Sequence, residues 1–335
     1  MKAELRFLSF CVAISIGLMA PLITFADPIC DFDGDGRSDI AFVNTNRQGS
    51  YDWTAFDPRT GRNKAVLKNF GNASSKLIPG NWFESGRAVA AIVNPVTGGP
   101  NGRAIWMARS IDYAGGSALT RDLGRSGDII IQGGDYDGNG ITDSLVLKRT
   151  TGKLGLRVNY FLSSYNGNNL GKERLYKALG SPFKDPNFFF SPDGSSDYLA
   201  VLQRNSGRSN AALQLKPFTD SPQAFSIGSL PGGSLGPLPL KQGSGKADLL
   251  VFYAKRGNKT QLTVKTLQGF TVYSGTIAGG GAVMVGDYFD DRGWEIAVQN
   301  GAAFTFINPK TNAEYVVGGA PSGRVVSCVS NQTIN

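Results

Sequence analysis

The chain has no histidine, and only four methionines, four tryptophans and three cysteines among its 335 residues. Without imidazole, the commonest general base and the usual zinc ligand are both missing. That excludes histidine-based hydrolase triads and ordinary zinc centres. One stretch has the spacing of a nucleophile elbow, Gly232-Gly233-Ser234-Leu235-Gly236. It lies in a Gly/Pro-rich segment, with no helix pattern after it and no histidine to serve as base. Asp, Glu, Tyr or Lys remain as candidates for glycosidase or lyase chemistry, but no pair of them stands apart from the turns described below. No catalytic residue is assigned, and the chain is not expected to be an enzyme.

Long apolar runs are equally scarce. The one present is N-terminal: Lys2 and Arg6 precede a nearly all-apolar Phe7 to Ala20, and Thr24-Phe25-Ala26 forms a cleavage-site pattern. Residues 1–26 therefore read as a signal peptide, too short for a permanent membrane span. The bulky Phe10 before Cys11 argues against a lipid-attachment site. The mature part, 27–335, is then expected to be exported, with no transmembrane span, and periplasmic, extracellular or at the cell surface. Removing Cys11 leaves Cys30 and Cys328, which in an oxidising compartment read as a disulfide.

Helix-forming runs are also few, against 44 glycines. What the chain does have is an acidic turn. Asp31-Phe32-Asp33-Gly34-Asp35-Gly36-Arg37-Ser38-Asp39 leads into the apolar Ile40-Ala41-Phe42-Val43. Asp135-Tyr136-Asp137-Gly138-Asn139-Gly140-Ile141-Thr142-Asp143 leads into Ser144-Leu145-Val146-Leu147. Oxygens at positions 1, 3, 5 and 9, with the position-7 carbonyl of Arg37 or Ile141, suit the oxygen-only shell of Ca²⁺. An EF-hand is excluded, because its twelfth position needs a bidentate Glu and here holds Phe42 or Val146. Two structural calcium sites are expected: Asp31, Asp33, Asp35, Arg37 and Asp39, and Asp135, Asp137, Asn139, Ile141 and Asp143. A weaker third would use Asp287, Asp291 and Glu295, where Phe289 replaces the position-3 acid. The turns ending at Val89, Asp197 and Asp248 keep too few oxygens and are expected to be metal-free.

Aligned on the last turn residue, the anchors are 39, 89, 143, 197, 248 and 295, at intervals of 50, 54, 54, 51 and 47 residues. Six units of that length, each with several short β-like runs, predict an all-β fold: a six-bladed β-propeller with about four antiparallel strands per blade. Two segments, Ala104 to Ile111 and Glu173 to Leu179, are ambiguous between strand and helix. The first unit has no room for a strand before its turn, and the last has one too many, near Arg324–Val329. The C-terminal strand is thus expected to complete the first blade and close the ring, which places Cys328 beside Cys30. A bond closing so long a loop contributes about 5 kcal/mol on loop-entropy grounds.

The repeated Asp-rich turns resemble the FG-GAP/VCBS-type repeats of bacterial exported proteins and, more distantly, the calcium loops of integrin α-subunit propellers. The resemblance covers the mature chain. It implies a calcium-stabilised propeller used for adhesion, carbohydrate binding or scaffolding. Charge points the same way: between Arg103 and Lys184 there are 12 Lys/Arg against 7 Asp/Glu. Arg103, Arg109, Arg121, Arg125, Lys148, Arg149, Lys153, Arg157, Lys172, Arg174 and Lys177 belong to this surplus, set against the alternative of an ordinary solvated surface. The expected partner is an anionic polysaccharide, lipopolysaccharide or a surface protein; nucleic acid is not expected. Trp53, Trp82, Trp106 and Trp294 are candidates for sugar stacking or, more simply, for packing between blades. A binding or adhesion module is the first reading. A carbohydrate-active enzyme on the same scaffold and a structural subunit of a surface assembly are the alternatives.

Overall fold

The computed structural model describes residues 30–83, 86–95, 104–110, 118–122, 124–131, 134, 141–148, 157–161, 171–174, 183–189, 198–204, 210–215, 223–242, 247–289, 293–328 and 331–333. From 144 to 227 the description is of backbone alone. The signal segment lies outside it.

The first strands are β1 (Ile40–Thr45), β2 (Tyr51–Asp57) and β3 (Arg62–Leu67). A second group is β4 (Lys76–Leu77), β5 (Ala90–Asn94), β6 (Ile105–Arg109) and β7 (Ala118–Asp122). The third is β8 (Ile129–Ile131), β9 (Ser144–Lys148), β10 (Arg157–Phe161) and β11 (Gly171–Arg174). Next come β12 (Phe183–Phe189), β13 (Tyr198–Arg204), β14 (Asn210–Leu215) and β15 (Gln223–Gly228). A fifth group is β16 (Leu235–Lys241), β17 (Ala247–Arg256), β18 (Lys259–Thr266) and β19 (Thr271–Ala278). The sixth is β20 (Val283–Gly286), β21 (Glu295–Asn300), β22 (Ala303–Asn308) and β23 (Ala313–Val317), and the chain finishes with β24 (Arg324–Val326) and β25 (Asn331–Thr333).

Each group forms one antiparallel sheet in chain order. A strand begins at or beside every repeat anchor; in the second to sixth groups the turn before it joins the group's first strand to its second, while the first turn leads directly into β1. Both ambiguous segments carry strand where they are described, in β6 and β11. As expected, β24 pairs with β1, setting Ala41 against Val326 and Val43 against Arg324. β25 was not expected: it adds to the third sheet beside β8, making that sheet five-stranded.

The apolar run of β1 is buried on both faces, as a strand between two packed layers must be. Ala41 and Val43 share a core with Trp53, Ala90 and Ile92, between the first and second sheets. Ile40 and Phe42 turn the other way, onto Met284, Phe304 and Phe306 of the sixth. The second sheet repeats the pattern: Ala91 and Val93 pack with Trp106 and Ile130 of β8. This alternation places sheets side by side as sectors. Of the six blades expected, a side-chain core is described for four: the first, second, fifth and sixth.

All four tryptophans are buried, with relative exposures of 1% (Trp53), 4% (Trp82), 1% (Trp106) and 3% (Trp294). Trp53 Nε1 donates to the Phe70 carbonyl at 2.8 Å and Trp82 Nε1 to that of Ile78 at 3.0 Å. Their sugar-stacking role is therefore corrected: the rings are committed to packing between blades. Truncating Trp53 or Trp106 to Ala belongs to the class of core deletions costing roughly 3–5 kcal/mol.

Candidate metal centre at the blade seam

The first acidic turn is built from its own carboxylates. Asp31 accepts the N–H of Gly34 at 2.5 Å and of Gly36 at 2.9 Å, and Asp39 accepts that of Phe32 at 2.9 Å. Gly34 and Gly36 both have positive φ, 81° and 83°, where a side chain is strained. Cys30, just before the turn, also has positive φ (66°) and is bonded to Cys328 with Cα atoms 5.9 Å apart. The disulfide and the acidic turn thus adjoin where the first sheet is completed.

Ligand atoms of Asp31, Asp33 and Asp39 lie within 4.8 Å of one another. Asp31 and Asp39 are buried, at 3% and 5% exposure. Burial pushes the Asp39 carboxyl up to about 8; the Phe32 N–H works against this, and Asp33 and Asp31 add to it. Burial also raises Asp31, against the N–H groups of Gly36 and Gly34 and with the help of Asp33 and Asp35. An all-oxygen donor set whose anionic form is disfavoured by burial and by its own neighbours is one that a hard cation would relieve. The residues fit Ca²⁺ in that sense.

Asp35 is not gathered with the other three. It accepts the Arg37 N–H at 2.9 Å and an ion pair from Arg59 Nη2 at 2.6 Å. Arg37 sends its guanidinium out of the turn, to Asp287 of the sixth sheet's turn at 2.9 Å. In the second acidic turn, Ile141 and Asp143 are buried and the Asp143 N–H donates to the Gly134 carbonyl at 2.7 Å, matching Asp39 to Cys30 at 2.9 Å. Asp135, Asp137 and Asn139 lie outside the described residues, as does Asp291 of the weaker third site. In that third turn, Glu295 accepts the Tyr288 N–H at 2.9 Å, and Phe289 meets Phe306 edge-to-face and Tyr315 at a tilt, with ring centroids 5.1 Å apart in each pair.

The turns interlock from blade to blade. The position-8 N–H of one turn donates to the carbonyl that opens the preceding turn: Ser38 to Asp287 at 2.7 Å, Ala88 to Asp31 at 2.7 Å, Thr142 to Asn81 at 2.6 Å. Trp294 donates likewise to Lys241, at the start of the shorter fifth turn, at 3.0 Å. The residue before position 1 is small because that neighbour presses on it. A Cβ on Gly286 would stand 2.7 Å from Ser38, and one on Gly80 would stand 2.9 Å from Thr142. Position 7 crosses the same seam: Arg37 reaches Asp287, and the Arg87 guanidinium fills the space beside Gly34. Aligning the repeats position by position would have exposed this, since Arg37 and Arg87 share position 7.

The other candidates fare as follows. Ser234 turns its hydroxyl into the Pro231 carbonyl at 2.6 Å and is followed by β16, so the Gly-x-Ser-x-Gly spacing is a strand-entry turn. Within the basic set, Arg109 lies over the Phe70 ring at 5.7 Å and Arg125 is exposed. The positions or side chains of Arg103, Arg121, Lys148, Arg149, Lys153, Arg157, Lys172, Arg174 and Lys177 lie outside the described residues. Among those described, no helix is long and apolar enough to cross a membrane.

No known family model matches the sequence, and no curated protein matches it. Among solved structures, TolB from Acinetobacter baumannii is similar, with a TM-score of 0.51 at 12% identity over 86% of this chain. The match spans 65% of that TolB chain, less than two thirds of it. At that identity the likeness is one of fold. Taken with the arrangement of sheets, it supports an all-β propeller that carries a Cys30–Cys328 disulfide.

Proposed function

We propose that this chain is an exported, calcium-stiffened six-bladed β-propeller of the FG-GAP/VCBS type, acting as a binding or adhesion module for anionic glycans. The observation that supports it best is the meeting of Asp31, Asp33 and Asp39 beside the Cys30–Cys328 bond, on turns that clasp their neighbours. That chemistry holds a shape. Calcium would be held by those three carboxylates, joined by Asp35 once it leaves Arg59, and it supplies charge neutralisation. The six sheets serve as the six blades, and the cationic surplus between Arg103 and Lys184 is the side offered to a polyanion.

A glycan array with calcium and with chelator tests this reading. Binding of sulfated or uronic-acid glycans without turnover, weakened by chelator, is expected. Cleavage of the bound polysaccharide would replace it with the enzyme reading. Failure to bind any glycan, with strong capture of one surface protein, would replace it with the structural-subunit reading.

A further inference from the structure

Charge is sorted between the two sides of the ring, and that sorting carries the inference. The turns that end at the anchors clasp one another across the described seams, so they share one side. Strand direction alternates within each sheet, so the second and third strands of a sheet are joined at the opposite side. The nine-residue turns ending at the six anchors hold 15 Asp/Glu against 5 Lys/Arg. The joins between second and third strands, with the residues that end those strands, are 45–51, 94–105, 148–157, 204–210, 256–259 and 300–303. They hold 10 Lys/Arg and no Asp/Glu. The cationic side is therefore the one away from the metal turns.

The cations are densest in three consecutive sheets. β12 approaches β8 and also β16, which sets the fourth sheet between the third and the fifth. Lys148 ends β9 directly opposite Arg157 of β10, and Arg256 ends β17 directly opposite Lys259 of β18. Arg204 ends β13, opposite Asn210. Like charges facing each other across an antiparallel pair destabilise it, yet two of these three sheets place them on the same rung. Arg256 and Lys259 are exposed, and neither pairs with a carboxylate among the described residues. Arg256 Nη2 donates to the Gly232 carbonyl at 3.0 Å. The sixth sheet's join, Asn300-Gly301-Ala302-Ala303, carries no charge, and the first sheet's carries only Arg47. The cationic positions thus form an arc, not a full ring.

We infer that the strand ends at Lys148, Arg157, Arg204, Arg256 and Lys259 form a track for one linear polyanionic polysaccharide, laid across the third, fourth and fifth sheets on the side away from the acidic turns. This rests on the anionic-glycan reading above and specifies where that ligand lies. An anion on the track neutralises facing cations that repel each other in the free chain, so part of the binding comes from relieving that repulsion. A chain with charges at regular intervals meets several sheets at once and gains from multivalency, which a single sulfated sugar does not.

The probe is dextran sulfate, with uncharged dextran as its control, titrated against the full chain and three full-length variants. R256Q/K259Q and K148Q/R157Q each remove a like-charge pair, so neither should melt lower than the unsubstituted protein. Each should weaken binding about tenfold and reduce the slope of log affinity against log salt by about two. R62Q/K310Q removes two exposed charges from the acidic-turn side and should bind as the unsubstituted chain does. Equal weakening by R62Q/K310Q, or full-strength binding by either track variant, overturns the track and leaves an anionic-glycan module standing. No binding of dextran sulfate by the unsubstituted chain overturns the track and the glycan reading together.

Discussion

The first and sixth turns share a frame and differ in how their charge is met. Each opens with an aspartate and closes with a buried acid that accepts the position-2 N–H at 2.9 Å, Asp39 from Phe32 and Glu295 from Tyr288. In the sixth turn Arg37 arrives from the next blade and pairs with Asp287, while Phe289 fills position 3 with an edge-to-face contact on Phe306. In the first, position 3 is Asp33 and three carboxylates converge. The closing acid therefore belongs to the fold, which needs its turn N–H satisfied. The acid at position 3 is what the first turn has and the sixth lacks, and it is the one gathered with Asp31 and Asp39.

The largest expected effect separates the two turns covalently. The variant C30S/C328S should lose about 5 kcal/mol in denaturant melts by loop entropy, with amide exchange rising around Cys30 and Asp39 more than around Glu295. Uniform loosening would mean the bond does not act at the first seam. Next, D39A and E295A each leave a buried N–H unmet, for about 1–3 kcal/mol apiece. In chelator the two losses should match. In 10 mM calcium, a site with extracellular-type affinity adds about 1–3 kcal/mol to the unsubstituted chain, so D39A should fall further behind and E295A should not. Calcium shifting neither melt would remove the metal from the first turn.

The pH dependence follows from the same asymmetry. The Asp39 carboxyl is pushed up to about 8 by burial, from an ordinary 3.8. Between those values the native state holds a proton that the unfolded chain has released, so stability falls as pH rises from about 4 to 8 and is level above. Chelated protein should melt lower at pH 8 than at pH 5, and calcium should flatten the slope; D39N should flatten it without calcium. A rising profile in chelator would contradict the burial assignment. The smallest effect belongs to R37A. Its ion pair with Asp287 is partly exposed, so about 1 kcal/mol or less is expected. Loss of calcium response in R37A would show that the two turns are coupled.

Much of this was readable in the chain because strand periodicity and turn chemistry are local. The acid at five of the six anchors, the apolar run after each and a surplus strand within Arg324–Val329 follow from composition and count alone. Cys30 and Cys328 were paired by arithmetic. What was not legible depends on neighbours that sequence order does not bring together. Arg37 reads as a ligand carbonyl within its own turn, and only the adjoining blade gives its side chain Asp287 to find. Asp35 reads as a ligand, and only the following hairpin reveals Arg59 as its ion-pair partner. β25 carries no periodic signal in three residues, and its pairing exists only because β8 leaves an edge open.

Among the described residues, the hydrogen bond from position 8 to the carbonyl opening the preceding turn ties four pairs of neighbouring turns together, and the Ser38–Asp287 link joins last to first. In a linear array of repeats, nearest-neighbour coupling still leaves two terminal units from which fraying begins. A hoop has none. Opening any one seam exposes a donor and an acceptor together, so the first break is the costly one and those that follow are cheaper. Such a molecule should resist slow stress and then fail all at once.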